Sequence, residues 1–407
     1  MNALRSVSGT LLLLYVVFHQ QISAQEIWQG SLTAACGRQI PFRLVLDFRT
    51  QPPQGYFLNG SEQTKIPEIY FRTDSLALIF SEYKAAMIGT WTGSAWHGSF
   101  YRYRSDTTAY EFSALHEKKP SAVKSGNSAF EGKFKVYLFD KKTCDSTMMA
   151  SFWTAGDSVY GTFIAPDGDE GLFAGIRRED TITLSRFTGW QAYLMEIGNK
   201  KGIWKGTLTS RSGPPQEFML TPIQSQSDFL KEEISTTMKG PKDRFSFSGT
   251  TDAGDTIYSD GTRFNGKAVI VDIMGTWCHN CMDAAPLLQD LYAEYRNEGL
   301  EVVALTFEIS SDPSLAKKNI SLFRKRYGIT YPILYCGSTQ EANITARLHS
   351  QLNNFSAFPT AIFIDKQGTV RFIHAGFHGK GTGGEYRHQV DKYYSLVKTI
   401  LQTKKEE

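Results

Sequence analysis

The sequence predicts a two-domain chain: an all-β N-terminal domain, packed as an antiparallel barrel or sandwich, and an α/β C-terminal domain. Three observations carry this. Before about residue 223, apolar and polar residues alternate in short runs broken by glycine and polar turns. After about residue 244, continuous apolar runs take turns with helical periods. Between them, Gln224-Ser225-Gln226-Ser227, Lys231-Glu232-Glu233 and Lys239-Gly240-Pro241-Lys242 fit neither pattern and read as a linker. The 407-residue length suits two domains, and 41% hydrophobic with 21% charged residues is a soluble globular balance. The domains expected are 1–24 (a signal peptide), 25–223 (all-β), 224–243 (linker) and 244–407 (α/β).

Residues 1–24 have the grammar of a secretory signal. Arg5 supplies the positive start, Leu11 to Phe18 the apolar stretch, and Ile22-Ser23-Ala24 a small residue before Gln25. The apolar stretch is far shorter than the roughly 20 residues of a spanning helix. No cysteine follows it, so no lipoprotein anchor is expected. These features predict a periplasmic or otherwise secreted protein, without stable membrane insertion, in a compartment where disulfides persist.

In the β region, strands are expected within 39–48, 68–80, 130–140, 148–164 and 181–187, where aromatic and β-branched residues dominate. One phrase recurs: Ile27-Trp28-Gln29-Gly30-Ser31-Leu32-Thr33 returns as Ile203-Trp204-Lys205-Gly206-Thr207-Leu208-Thr209. It reads as an aromatic-Gly strand signature shared by two β units, with glycines beside core aromatics as the plain explanation.

In the α/β region the elements expected are a strand at 268–274, a helix at 280–297, a strand at 301–307, an amphipathic helix at 313–327, a strand at 331–335 and a helix at 341–352. A hairpin of 360–365 and 369–374 and a helix at 385–401 follow. Strands alternating with helices mean parallel pairing with covered faces, and the hairpin adds antiparallel pairing.

Trp277-Cys278-His279-Asn280-Cys281 falls where the first of these strands ends and the first helix starts. Two cysteines three apart there can close into a disulfide with little backbone movement. The first thiol faces the free N–H groups of the helix start, which stabilise a thiolate. The second lies a turn inside, placed to attack a mixed disulfide formed by the first. His279 follows the first cysteine, where partial positive charge would favour thiolate.

With these residues in place, the segment 244–401 resembles the thioredoxin fold, and specifically the secreted TlpA-like thiol–disulfide oxidoreductases. The resemblance rests on Gly266-Lys267, on Val269-Ile270-Val271-Asp272-Ile273-Met274-Gly275-Thr276-Trp277-Cys278, and on Phe358-Pro359-Thr360. It implies Cys278 as attacking and Cys281 as resolving cysteine. Asp272 falls where the family keeps a buried acid that takes the proton of the resolving thiol. Pro359 matches a cis proline beside the disulfide, so Trp277, Phe358 and Pro359 are the expected substrate-binding residues, the Phe358 backbone pairing with an extended peptide. Asn280 stands where proline is commonest and, with His279, is expected to tune the potential. The function implied is a thiol–disulfide oxidoreductase reducing disulfides of envelope proteins, re-reduced by an upstream membrane electron donor, with no cofactor.

Other readings leave weaker traces. Structural zinc needs a second cysteine pair or suitably spaced histidines, and only Cys336 remains in this region. His374 and His378 lie four apart but on a strand and a glycine-rich loop, so no metal is expected there. Cys36 and Cys144 could bridge in an oxidising compartment. Asn59-Gly60-Ser61 and Asn319-Ile320-Ser321 fit the glycan acceptor pattern, as do Asn343-Ile344-Thr345 and Asn354-Phe355-Ser356. A peroxiredoxin-like peroxidase would place proline and Thr or Ser upstream of its cysteine, where Val271 and Gly275 stand. A partner- or copper-binding protein built on the β domain is the third reading; a copper carrier of this fold would space its cysteines by three residues rather than two. A net charge of +3 with no basic block argues against nucleic acid.

Overall fold

The computed structural model describes residues 25–103, 107–117, 130–139, 144–223, 236–240 and 244–403. The signal-peptide expectation for 1–24 lies outside the described residues, as does most of the predicted linker. Among the described residues, no helix is long and apolar enough to cross a membrane.

The N-terminal region is all β and falls into two sheets. The first is an open nine-stranded antiparallel meander. Glu26–Thr33 and Thr107–His116 pair at its centre, Glu62–Lys65 forms one edge and Glu68–Arg72 the other. The second closes on itself, because Cys144–Ala155 pairs with Gly132–Phe139 on one side and with Ser158–Ala165 on the other. Alternation along each strand decides what the barrel encloses. In Thr181–Phe187, Ile182, Leu184 and Arg186 point inward and are buried. Phe134, Phe152, Phe163, Phe173 and Phe218 fill the interior beside Leu184 and Ile197.

The repeated aromatic-Gly phrase supplies one strand to each sheet, Glu26–Thr33 and Ile203–Ser210. Each pairs in a hairpin with the next strand, and each glycine faces a phenylalanine: Gly30 opposite Phe42, Gly206 opposite Phe218. A Cβ at either position would collide with that ring. The glycines are there so that a cross-strand aromatic can lie over the backbone.

The C-terminal region is a thioredoxin-like α/β fold. Its sheet runs in the order Thr256–Tyr258, Ser248–Thr250, Ile333–Ser338, Leu300–Glu308, Ala268–Met274, Thr360–Ile364, Val370–Ala375. The three strands from 268 to 338 are parallel, and the 360–375 hairpin is antiparallel. Helices His279–Tyr295, Pro313–Tyr327 and Gly384–Gln402 cover the sheet.

The structure differs from the sequence reading at 341–352. Only Glu341–Ile344 is α-helical; a π turn at Thr345–His349 follows, and Leu352–Asn353 pairs with Thr237–Met238, inside the predicted linker. The helical period gives way because Gln351 ties both of its amide atoms to the Ser246 backbone and Asn354 adopts a left-handed conformation. The predicted runs 68–80 and 148–164 are each a hairpin, turning at Thr73-Asp74 and at Gly156-Asp157.

The two regions share packing. One apolar cluster joins Trp28, Phe57, Phe80 and Tyr83 of the first sheet to Cys278, Met282 and Ala285 of the helix His279–Tyr295. Glu82 accepts from Arg326 at 3.0 Å, with both side chains nearly buried, and Lys318 meets Glu68 at 2.8 Å.

Candidate redox site

The strand Ala268–Met274 is buried along its whole length, which fixes the point where its chain emerges. At Gly275 a Cβ would strike the Trp277 indole, so glycine leaves room for that ring to fold back. The indole Nε1 donates to the Phe307 carbonyl at 2.8 Å, and its edge meets Phe358. The turn then closes through Cys278 N to Gly275 O at 3.0 Å.

Cys278 is the N-cap of the helix, extended at φ −83° and ψ 120°. Its Sγ accepts from the Cys281 backbone N–H at 3.2 Å and is bonded to Cys281 Sγ, with the two Cα atoms 5.2 Å apart. A helix-start N–H aimed at sulfur favours its anionic form. The two sulfurs differ in access: Cys278 is 6% exposed and Cys281 is fully buried. The Phe358 carbonyl lies 3.4 Å from Cys278 Sγ, and the Phe358–Pro359 peptide is cis.

Asp272 sits on the strand that leads into the CxxC turn, between Ala304 and Ala361 of its neighbours. It is 2% exposed, and its Oδ1 has no hydrogen-bond partner. Burial alone pushes its carboxyl up to about 7. An acid in that range can hold or release a proton at neutral pH.

His279 and Asn280, between the cysteines, are half-buried against the β region. The His279 ring lies against Arg186 Nη2, 3.0 Å from Nε2 and 3.2 Å from Nδ1, and its Nε2 is 3.2 Å from Asp283 Oδ2. Burial, and next the Arg186 guanidinium, push the imidazole below its ordinary value. These effects favour the neutral imidazole, and the charged group in contact with it is the Arg186 guanidinium. The Asn280 amide packs against Gly168, where a Cβ would collide with it.

Several residues of this site were not expected from the sequence. Glu308, fully buried, ends the strand Leu300–Glu308. It accepts from Thr276 N at 3.2 Å, Thr276 Oγ1 at 2.7 Å, Thr306 Oγ1 at 2.5 Å and Asn319 Nδ2 at 3.4 Å. It anchors the loop before Trp277, and its only trace in the sequence is a carboxylate closing an apolar run. The β region adds Arg186, Glu62 and Asp169. Asp169 Oδ1 accepts from the Gly379 N–H at 2.6 Å, and the Ala165 carbonyl lies 2.9 Å from His378 Nε2.

The other candidates resolve separately. His374 Nε2 lies 2.9 Å from Gln389 Nε2. Among the described residues, no group of three or more His, Cys, Asp or Glu is arranged to hold a metal. Cys36 is exposed and free, and Cys336 is buried, its thiol pushed up to about 12 by burial. Asn59 is buried with its amide bonded to the Phe187 backbone in both directions, and Asn319 is buried against Glu308, so neither is open to a glycan.

Known proteins resemble the C-terminal region of this chain. Residues 242–373 match the model of the AhpC/TSA family. The C-terminal region carries an AhpC/TSA domain. Curated relatives of this AhpC/TSA region include thiol-disulfide oxidoreductase ResA of Geobacillus thermodenitrificans, 31% identical over 115 residues, which are 28% of this chain and 58% of that protein. ResA of Halalkalibacterium halodurans is 28% identical over 138 residues, 33% of this chain and 64% of that protein. The thioredoxin-like protein YneN of Bacillus subtilis is 30% identical over 111 residues, with 27% and 58% covered. The chain thus spans about three fifths of the length of these relatives. Among solved structures, a thioredoxin-family thiol:disulfide interchange protein from Chlorobium tepidum is 22% identical, covering 40% of this chain and 98% of that one at a TM-score of 0.30. A thiol-disulfide oxidoreductase from Bacteroides fragilis is 16% identical, with 36% and 99% covered at a TM-score of 0.27.

Proposed function

We propose that the protein is a thiol–disulfide oxidoreductase that reduces disulfides of envelope proteins. The observation that carries this is Cys278 itself: a helix N-cap, sulfur against a helix N–H and beside the Phe358–Pro359 turn, with its partner Cys281 sealed below. The names of the curated relatives point the same way.

In the reaction read from this geometry, the Cys278 thiolate attacks one sulfur of a substrate disulfide. A Cys278–substrate S–S bond forms, and the first substrate sulfur leaves as thiolate and takes a proton. Asp272 accepts the Cys281 proton, and the Cys281 thiolate attacks Cys278 Sγ. The second substrate sulfur leaves as thiolate and takes a proton, so the substrate has gained two electrons and two protons while Cys278 and Cys281 are joined. An extended substrate segment lies across Trp277, with its backbone paired to Phe358 beside Pro359. A membrane electron donor returns two electrons. The expected secretory segment supports an envelope location.

A peroxidase is the second reading, since related folds include peroxiredoxins. Against it, Val271 and Gly275 stand where a peroxide pocket needs proline and a hydroxyl, and the Thr276 hydroxyl is committed to Glu308.

Turnover of insulin disulfides with dithiothreitol as donor tests the reading. Cys278→Ser should abolish it, while Cys281→Ser should accumulate mixed disulfides at Cys278. Activity surviving Cys278→Ser, or consumption of hydrogen peroxide in preference to the disulfide, would refute it.

A further inference from the structure

We propose that Arg186, supplied by the closed β-barrel and clamped by Glu62 of the first sheet, is a positioning residue of the redox site: it holds His279 at the start of the active-site helix and sets a fixed positive charge beside the Cys278 thiolate. The inference rests on the reading of Cys278 as the attacking thiol and extends it across the domain boundary.

Arg186 is fully buried, an unusual place for a guanidinium unless its geometry is complete. Here it is complete. Nη1 and Nη2 donate to the two Glu62 oxygens at 2.8 and 2.9 Å, Nε to Gln191 Oε1 at 3.1 Å, and Nη1 also to the Leu172 carbonyl at 3.1 Å. Room is made for it: Gly171 has φ +76°, and a Cβ there would collide with the guanidinium. The remaining face of Nη2 meets His279, the residue bonded to Cys278.

The charged groups around His279 are Arg186, Glu62, Asp169 and Asp283, with Lys380 near Asp283. Burial, with Glu62 and Asp169 beside it, pushes Asp283 strongly towards its neutral form. Asp169 is committed to the Gly379 and Gly171 N–H groups. Nη2 meets both Glu62 Oε1 and the His279 ring, so the guanidinium is the member of the Arg186–Glu62 pair that touches the start of the active-site helix, and Glu62 partly offsets its charge there. A guanidinium cannot give up its proton, so this charge persists where an imidazole's would not. Out of solvent, it is little screened by salt. In exchange with glutathione, the dithiol and one glutathione disulfide give the protein disulfide and two glutathione thiols. A stabilised Cys278 thiolate shifts that equilibrium towards the dithiol and glutathione disulfide.

The test is the iodoacetamide labelling rate of Cys278 in the reduced full-length protein at pH 6, read by tandem mass spectrometry. Glu62→Gln leaves the Arg186 charge uncompensated and should speed labelling roughly 3- to 10-fold. Arg186→Gln with Glu62→Gln removes the pair without stranding a charge and should slow it about 2- to 5-fold. Arg186→Lys keeps the charge but loses the bidentate grip on Glu62, and should label faster than the double variant; it serves as the charged arm if Glu62→Gln does not fold. Rates all within twofold of wild type, or the Glu62→Gln and double variants moving in one direction as a loosened interface would give, overturn the inference. If wild-type Cys278 labels no faster than Cys281, it is the assignment of the attacking thiol that fails.

Discussion

Asp272 shows how one residue couples chemistry to stability. Its folded-state carboxyl is raised from 3.8 to about 7 by burial, so between those pH values the native protein holds a proton that the unfolded chain has lost. Stability therefore falls as pH rises through this window, and above it the buried charge costs up to about 4 kcal/mol. Asp272→Asn should leave stability nearly unchanged at pH 4 and raise it by roughly 2–4 kcal/mol at pH 8, as urea unfolding at the two pH values would register. In single-turnover kinetics the same variant should slow release of the mixed disulfide about 10- to 100-fold while the first attack stays within about threefold. Equal slowing of both steps, or a stability gain already present at pH 4, speaks against a titrating acid. Asp272 stands out in the sequence only through its place in the phrase Val269–Cys278 that resembles the thioredoxin family, and nothing local to it announces the burial that shifts it. Period-2 alternation puts Arg186 on the face of Ile182 and Leu184, yet nothing local says which partner it meets, since Glu62 lies 124 residues away.

At the scale of elements, the strands and helices of the C-terminal region were readable because each is long and strongly periodic, and because the CxxC turn has few structural alternatives. The exception at 341–352 arose where side-chain bonds from Gln351 outcompete a short helix. In the β region, alternation revealed strands but not their sheets, since closure depends on pairings such as Cys144–Ala155 with Ser158–Ala165 that no short window contains. The aromatic-Gly phrase is the local signal that survives, and it is testable. Gly206→Ala sets a Cβ against the Phe218 ring and the Glu196 carbonyl and should cost about 1–3 kcal/mol. That is a fall of roughly 3–10 °C in Tm by calorimetry. Adding Phe218→Leu should recover part of the loss if the ring is the obstacle; no recovery would place the strain in the backbone instead.

At the scale of the molecule, the sequence suggested two independent halves, and the structure joins them. The C-terminal region has a cluster of its own around Val271, Leu305 and Ile362, but its active-site helix also packs into the cluster of the first sheet. Residues 244–407 alone should therefore fold and still reduce insulin, with a urea midpoint clearly below that of the same region in the full chain. Fluorescence and circular dichroism of the fragment check this, and an unfolded fragment would mean that the shared cluster is indispensable. No sequence pattern announces such an interface. Arg326 and Glu82 are ordinary charges until the fold brings them within 3.0 Å and buries them together.

In the proposed reaction Cys278 and Cys281 form an asymmetric dithiol, one thiol poised to attack and the other held in reserve. The most direct measurement is the pH dependence of alkylation of each cysteine in the reduced protein, resolved by mass spectrometry. Cys278 should titrate at least about one pH unit below an ordinary thiol, and Cys281 above Cys278. Two cysteines labelled at equal rates, with equal pKa values, would contradict the account.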